Sequence, residues 1–228
     1  MEPLAIEIKI AEELIVRGQE WPVQGPPVVM FHDHGDDLDC WQGIDRLLAG
    51  RGFRVITLDL PNHGLSDDWV QEDPMIETLV EIIKNVSEVW GPIGLCSYGS
   101  ISSELCWMRG PDAPITHIMV SPRAPAAGIS LRAGSGDEMS QLVVAATNDG
   151  ERSEEARLLF DSLGAKKLWA SVAATSHGPD LIKSHDHLVD DMAIFLRRTL
   201  VPSHLEWTAA THEKAAGDFL DAESEREQ

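Results

Sequence analysis

The chain has 228 residues, 43% of them hydrophobic and 25% charged, the size and balance of one globular α/β unit with little left for a second. No apolar run approaches the roughly 20 residues of a membrane helix, and the acidic N-terminal stretch MEPLAIEIKIAEELIVRG lacks the basic start and apolar stretch of an export signal. The net charge of −20, from 38 acidic and 18 basic residues, repels phosphate backbones and anionic lipid, which argues against nucleic acid and membrane as partners.

Short apolar runs alternate with helical patterns, the mark of parallel β-α units around a sheet buried on both faces. Residues 5 to 20 alternate loosely and are expected to form an antiparallel edge hairpin. Val28 to Phe31 is a buried strand; Trp41, Ile44, Leu47 and Leu48 then fall at helical spacing. Val55 to Leu60 is the next strand, and Ile76, Leu79, Val80, Ile83 and Val86 line one helix face. Ile93 to Cys96 reads as a strand, followed by a helix from about Gly99 to Met108. Ile115 to Val120 and Leu142 to Ala146 are further strands. Ser153 suits the N-cap of the helix marked by Ala156, Leu159, Phe160 and Leu163. Lys167 to Ala173 is the last strand, and Leu188, Met192, Phe195 and Leu196 mark the last core-facing helix.

The expected architecture is a mostly parallel, doubly wound sheet flanked by helices, with an N-terminal antiparallel hairpin. Residues 1–202 form one domain, and 203–228 an acidic C-terminal tail, helical or frayed. Only about twenty residues lie between Val120 and Leu142, too few for a helical lid, so little or no cover over the site is expected. The three cysteines, Cys40, Cys96 and Cys106, are odd in number and not spaced as metal ligands, which suggests reduced thiols and a cytoplasmic protein.

In open parallel sheets, ligands bind beyond the carboxyl ends of the strands. One strand there ends in Gly94-Leu95-Cys96-Ser97-Tyr98-Gly99-Ser100. A nucleophile on a sharp strand-to-helix turn needs small neighbours two positions away on either side. With Ser97 as nucleophile, Gly99 meets the downstream demand and Leu95 fails the upstream one. With Cys96, Gly94 fits and Tyr98 is too large. Ser97 is the preferred reading and Cys96 the alternative.

A serine hydroxyl needs a base, and the base an acid that fixes its tautomer. Asp149, in Asn148-Asp149-Gly150, and His177, in Ser176-His177-Gly178, each follow a different strand. Serine, aspartate and histidine thus fall in the chain order seen in α/β-hydrolases, unlike the chymotrypsin and subtilisin orders. The first turn, Phe31-His32-Asp33-His34-Gly35, is placed for an oxyanion hole. Backbone N–H groups of Asp33 and His34, with that of Tyr98, would hold the charge of a tetrahedral intermediate. His32, Asp33, His34 and Asp36 could also be taken for metal ligands, but no ligand cluster is evident around them.

With these residues in view, the chain resembles the α/β-hydrolase superfamily over roughly residues 15 to 200. Asp59-Leu60-Pro61-Asn62-His63-Gly64-Leu65-Ser66 is similar to the family's Asp-x-Pro-Gly-His-Gly-x-Ser turn, with Asn62 in place of glycine. LVVAATNDG resembles its acid strand and ATSHGPDLI its histidine loop. The resemblance implies a cap-poor serine esterase or thioesterase with Ser97 as nucleophile, Asp149 as acid and His177 as base. Such an enzyme forms an acyl-enzyme with a small-molecule ester or thioester and needs no metal or organic cofactor. Leu95 and Asp33 depart from the family, each standing where glycine is usual. Two other readings follow: a Cys96 enzyme of the dienelactone-hydrolase kind, and a catalytically inactive hydrolase fold kept for binding.

Overall fold

In the computed structural model, residues 1–12, 14–68, 75–111, 113–124 and 139–212 are described. Eight strands form one sheet: β1 (Leu4–Ala11), β2 (Leu14–Trp21), β3 (Pro27–Phe31), β4 (Arg54–Leu58), β5 (Gly94–Tyr98), β6 (Thr116–Val120), β7 (Ser140–Ala146) and β8 (Lys167–Val172). Their order across the sheet is β1-β2-β4-β3-β5-β6-β7-β8. β1 and β2 are antiparallel and β2 joins β4 antiparallel, whereas β3 to β8 run parallel. The expected hairpin is therefore present, with β1 alone at the edge.

Among the described residues, helices flank the sheet: α1 (Ile44–Ala49), α2 (Met75–Trp90), α3 (Ser100–Leu105), α4 (Glu151–Ser162), α5 (Gly178–Lys183) and α6 (His187–Thr199). Alternation along the strands sends side chains to both faces. Val28 and Met30 of β3 pack with Cys96, Leu48, Met192 and Leu196 on one side. Val29 and Phe31 pack with Leu95, Leu79, Ile82, Ile83, Val86 and Ile101 on the other. The α2 residues recur at helical spacing, so one stripe covers the sheet.

Several local expectations shift. Gly150, not Ser153, is the N-cap of α4; its φ of 54° suits a residue without a side chain. The helix expected around Trp41 divides into a 3-10 turn, Leu38–Trp41, and α1. α5 was not foreseen. Residues 201–212 are helical; the remainder of the tail, and the segment 125–138 where a cover was considered, lie outside the described residues. No helix among the described residues is long and apolar enough to cross a membrane.

The chain passes from β3 to β4 on one side and returns to place β5 on the other side of β3. This is a topological switch point, where the loops after two adjacent strands part and open a crevice. Met30 pairs with Cys96 and Phe31 with Ser97. Continuing that register by two residues brings Asp33 level with Gly99.

Candidate functional site

β5 runs two residues further than the sequence suggests, through Tyr98. Ser97 is therefore a strand residue, and its side chain leaves the sheet on the same face as Leu95, toward α3. It is fully buried. Its hydroxyl lies 2.9 Å from Ser102 Oγ and 2.6 Å from His117 Nε2. His117 is itself buried on β6, and its Nδ1 has no hydrogen-bond partner. Both bonds are completed when His117 Nε2–H donates to Ser97 and Ser97 donates to Ser102. In that arrangement the imidazole presents its proton to Ser97. The structure places Ser97, the expected nucleophile, inside the strand and two residues before the turn.

Cys96 fares no better. It is fully buried in the opposite core, and burial pushes its thiol well above the ordinary range, which removes the thiolate that cysteine chemistry requires.

The sharp turn lies at Gly99, with φ 68° and ψ −135°, a backbone conformation that costs an L-residue about 1–3 kcal/mol. A strand ends here, one residue turns, and α3 begins, the strand-turn-helix geometry on which a nucleophile elbow is built. Ser97, two residues upstream, answers the elbow's demand for a small neighbour. The apex itself carries no side chain. A Cβ at Gly99 would overlap the carboxyl group of Asp33.

Asp33 Oδ1 accepts from the Ser100 N–H at 2.9 Å and from the Ser100 hydroxyl. The elbow's backbone donor is thus Ser100, immediately after the apex, and not Tyr98, which is still paired with Val120 in the sheet. Asp33, expected to lend its N–H to an oxyanion, instead places its carboxylate on the Ser100 N–H. It is 9% exposed, and no ion pair to it forms among the described residues. His34, the other expected donor, places its ring 3.6 Å from Glu104, which raises its pKa.

The first-turn histidine is structural. His32 Nδ1 donates to the Asp33 carbonyl at 2.8 Å, and Nε2 accepts from the Leu60 N–H at 2.9 Å. Burial lowers its pKa. With both nitrogens engaged it is no metal ligand, and no metal-binding group occurs among the described residues. The Asp59 turn is a scaffold as well: its carboxylate accepts from Leu38 N and Leu65 N, both at 2.8 Å. Asn62 has φ 65°, a left-handed conformation that asparagine tolerates, which explains its substitution for glycine.

Asp149 and His177 do come together. The Asn148 N–H donates to the Ala174 carbonyl at 3.1 Å, tying the loop after β7 to the loop after β8. His177 is the N-cap of α5, and its Nδ1 lies 3.4 Å from Asp149 Oδ2. That spacing is an ion-pair approach and not a formed hydrogen bond. The next residue, Gly178, packs on the Tyr98 ring, 2.6 Å from where its Cβ would be, and donates its N–H to Ser121 Oγ at 2.9 Å. Ser121 has φ 42°, a strained conformation at the end of β6. The histidine loop is thereby fixed beside the elbow. Sequence reasoning missed Gly99, Ser100 and Ser121; the signal for the first two was period-2 alternation through Tyr98 followed by Gly-Ser.

No family model and no curated protein matches the chain. Solved structures match it closely in shape. A CIB-like hydrolase of Thermoplasma acidophilum is 15% identical with a TM-score of 0.69, covering 87% of this chain and 99% of that one. An esterase of Pyrococcus furiosus is 13% identical with a TM-score of 0.66, covering 87% and 93%. A malate-bound esterase of Thermogutta terrifontis is 13% identical with a TM-score of 0.67, covering 87% and 99%. The chain has the α/β-hydrolase fold. At these identities the likeness speaks for the architecture alone.

Proposed function

We propose that this protein is a ligand-binding member of the α/β-hydrolase fold that does not form an acyl-enzyme. One observation carries the reading: Gly99 holds the elbow's apex, and the Asp33 carboxylate fills the space of a nucleophile while taking the Ser100 N–H. Acyl transfer needs an attacking side chain and a donor free to meet the developing oxyanion. Both are missing from the elbow. The ligand position that such sheets offer beyond the carboxyl ends of their strands would take a small molecule.

The test is chemical. Purified protein is treated with a fluorophosphonate probe and, separately, with p-nitrophenyl acetate and its thioester counterpart. The expected result is no stoichiometric labelling and no turnover above that of heat-denatured protein. Labelling of any serine to one equivalent would overturn the proposal.

The Asp149–His177 approach of 3.4 Å favours a second reading, a hydrolase in which His177 activates water directly. Turnover without fluorophosphonate labelling, lost in His177→Ala, would support that reading over the first.

A further inference from the structure

The loops that follow β3 and β4 are joined by a reciprocal pair of histidines. His32, after β3, accepts the Leu60 N–H of the other loop at Nε2 and donates from Nδ1 to the Asp33 carbonyl of its own. His63, after β4, mirrors it: Nε2 lies 3.1 Å from the Gly35 nitrogen and Nδ1 2.8 Å from the Pro61 carbonyl. A backbone N–H only donates and a carbonyl only accepts, so both rings are neutral with their proton on Nδ1. Their centroids are 5.2 Å apart, edge to face.

This clasp brackets the residue that decides the turn at Gly99. His32 holds the Asp33 carbonyl and His63 holds the Gly35 N–H, so the backbone of Asp33 is tied on both sides while its carboxylate takes the Ser100 N–H at 2.9 Å. The two rings differ in reach. His32 is fully buried, and burial lowers its pKa; His63 is half-buried, where water can deliver a proton.

The charges around the clasp do not hydrogen-bond to either ring among the described residues. Asp36 and Asp59 bear on His32, but the Asp59 carboxylate is taken by the Leu38 and Leu65 N–H groups, and Asp36 bears on the Tyr98 hydroxyl of β5 as well. From α3, Glu104 faces His34 at 3.6 Å, and the His34 ring lies 6.3 Å from that of His63. Asp67, on the His63 loop, is paired with Arg17 of β2. A proton added at His63 Nε2 therefore meets no acceptor there. It meets the Gly35 N–H, and two donors face each other.

We infer that the His32–His63 clasp is an acid-sensitive latch on this turn: protonation of His63 Nε2 expels the Gly35 N–H, and the freed loop carries the Asp33 carboxylate off the Ser100 N–H. His32 stays neutral in the core and serves as the fixed end. Above the His63 transition the Ser100 donor is covered; below it the donor is open. The latch goes beyond the non-acylating reading and does not depend on it, since the donor is covered or uncovered in either case.

The experiment is nuclear magnetic resonance on the full chain between pH 8 and pH 5. Imidazole nitrogen signals report the tautomers, with Nδ1–H expected on both rings at pH 8. Amide exchange, corrected for its intrinsic pH dependence, is read at Gly35 and Ser100, with the β6 amides as reference for global opening. Both amides are expected to lose ten-fold or more of their protection along the titration of the His63 ring, while β6 keeps its own. His63→Gln offers an amide oxygen that accepts from Gly35 and does not titrate, so protection there is expected to stay flat. The inference is overturned if His63 carries its proton on Nε2 at pH 8, if protection does not follow the ring, or if Ser100 stays protected while Gly35 opens. A loss that persists in folded His63→Gln also overturns it and assigns the effect to Asp33 or His34. The wild-type comparison decides alone if the variant does not fold. Fluorophosphonate labelling of the same sample tests the non-acylating reading separately, and labelled protein leaves the latch standing.

Discussion

The Asp33 carboxylate stands in the volume that any side chain at position 99 would need. Asp33 and Gly99 come from adjacent strands, β3 and β5, in a register set by Phe31 opposite Ser97. Each residue therefore constrains the other, and the pair decides the chemistry of the elbow.

Gly99→Ser alone is expected to destabilise the protein by about 2–4 kcal/mol, combining overlap with Asp33 and strain at positive φ. Adding Asp33→Gly should recover part of that loss. Urea unfolding of the two single variants and the double measures the coupling. Additive effects would show that the residues do not share space.

The same double variant frees the Ser100 N–H and restores a hydroxyl at the apex. It is expected to gain fluorophosphonate labelling that the wild type lacks, and to lose it again when His177→Ala is added. A double variant that folds but stays unlabelled would mean that the histidine loop does not reach the elbow.

Ser97→Ala tests a different role. The residue donates within a buried chain from His117 to Ser102, so its loss leaves a buried donor unmet and costs about 1–3 kcal/mol. Ligand binding should be unchanged. A variant of wild-type stability with altered binding would return Ser97 to the site.

Acid stability follows from His117, which burial lowers from 6.5 to about 3 in the folded chain. Between those values the unfolded chain holds a proton that the folded chain does not. The contribution is fully present above pH 6.5 and is lost as pH falls toward 3, by up to about 1.4 kcal/mol per unit. Burial moves His32 in the same direction. Urea midpoints at pH 7.5, 6 and 5 should fall more steeply for wild type than for His117→Gln. Parallel declines would refute this.

Periodicity and strand-end punctuation made the sheet legible, because buried parallel strands are nearly continuous apolar runs. Asp149 and His177 could be found for the same reason, each lying just past such a run. The elbow could not be placed by that rule. Ser97 and Tyr98 are polar enough to look like a loop, yet sheet pairing with Met119 and Val120 keeps them in the strand. The strand therefore ends two residues later than its apolar run, and the turn falls on Gly99 and not at Ser97. Asp33 was visible as a departure, but its meaning depended on a neighbour 66 positions away, brought close only by the β3–β5 register.

The charge at the elbow is not built into the turn. It arrives on the end of one side chain from the next strand's loop, held by Ser100. The character of the turn is therefore set from outside it, by a residue of the neighbouring loop, and a change at position 33 alters it without touching the strand that carries Gly99.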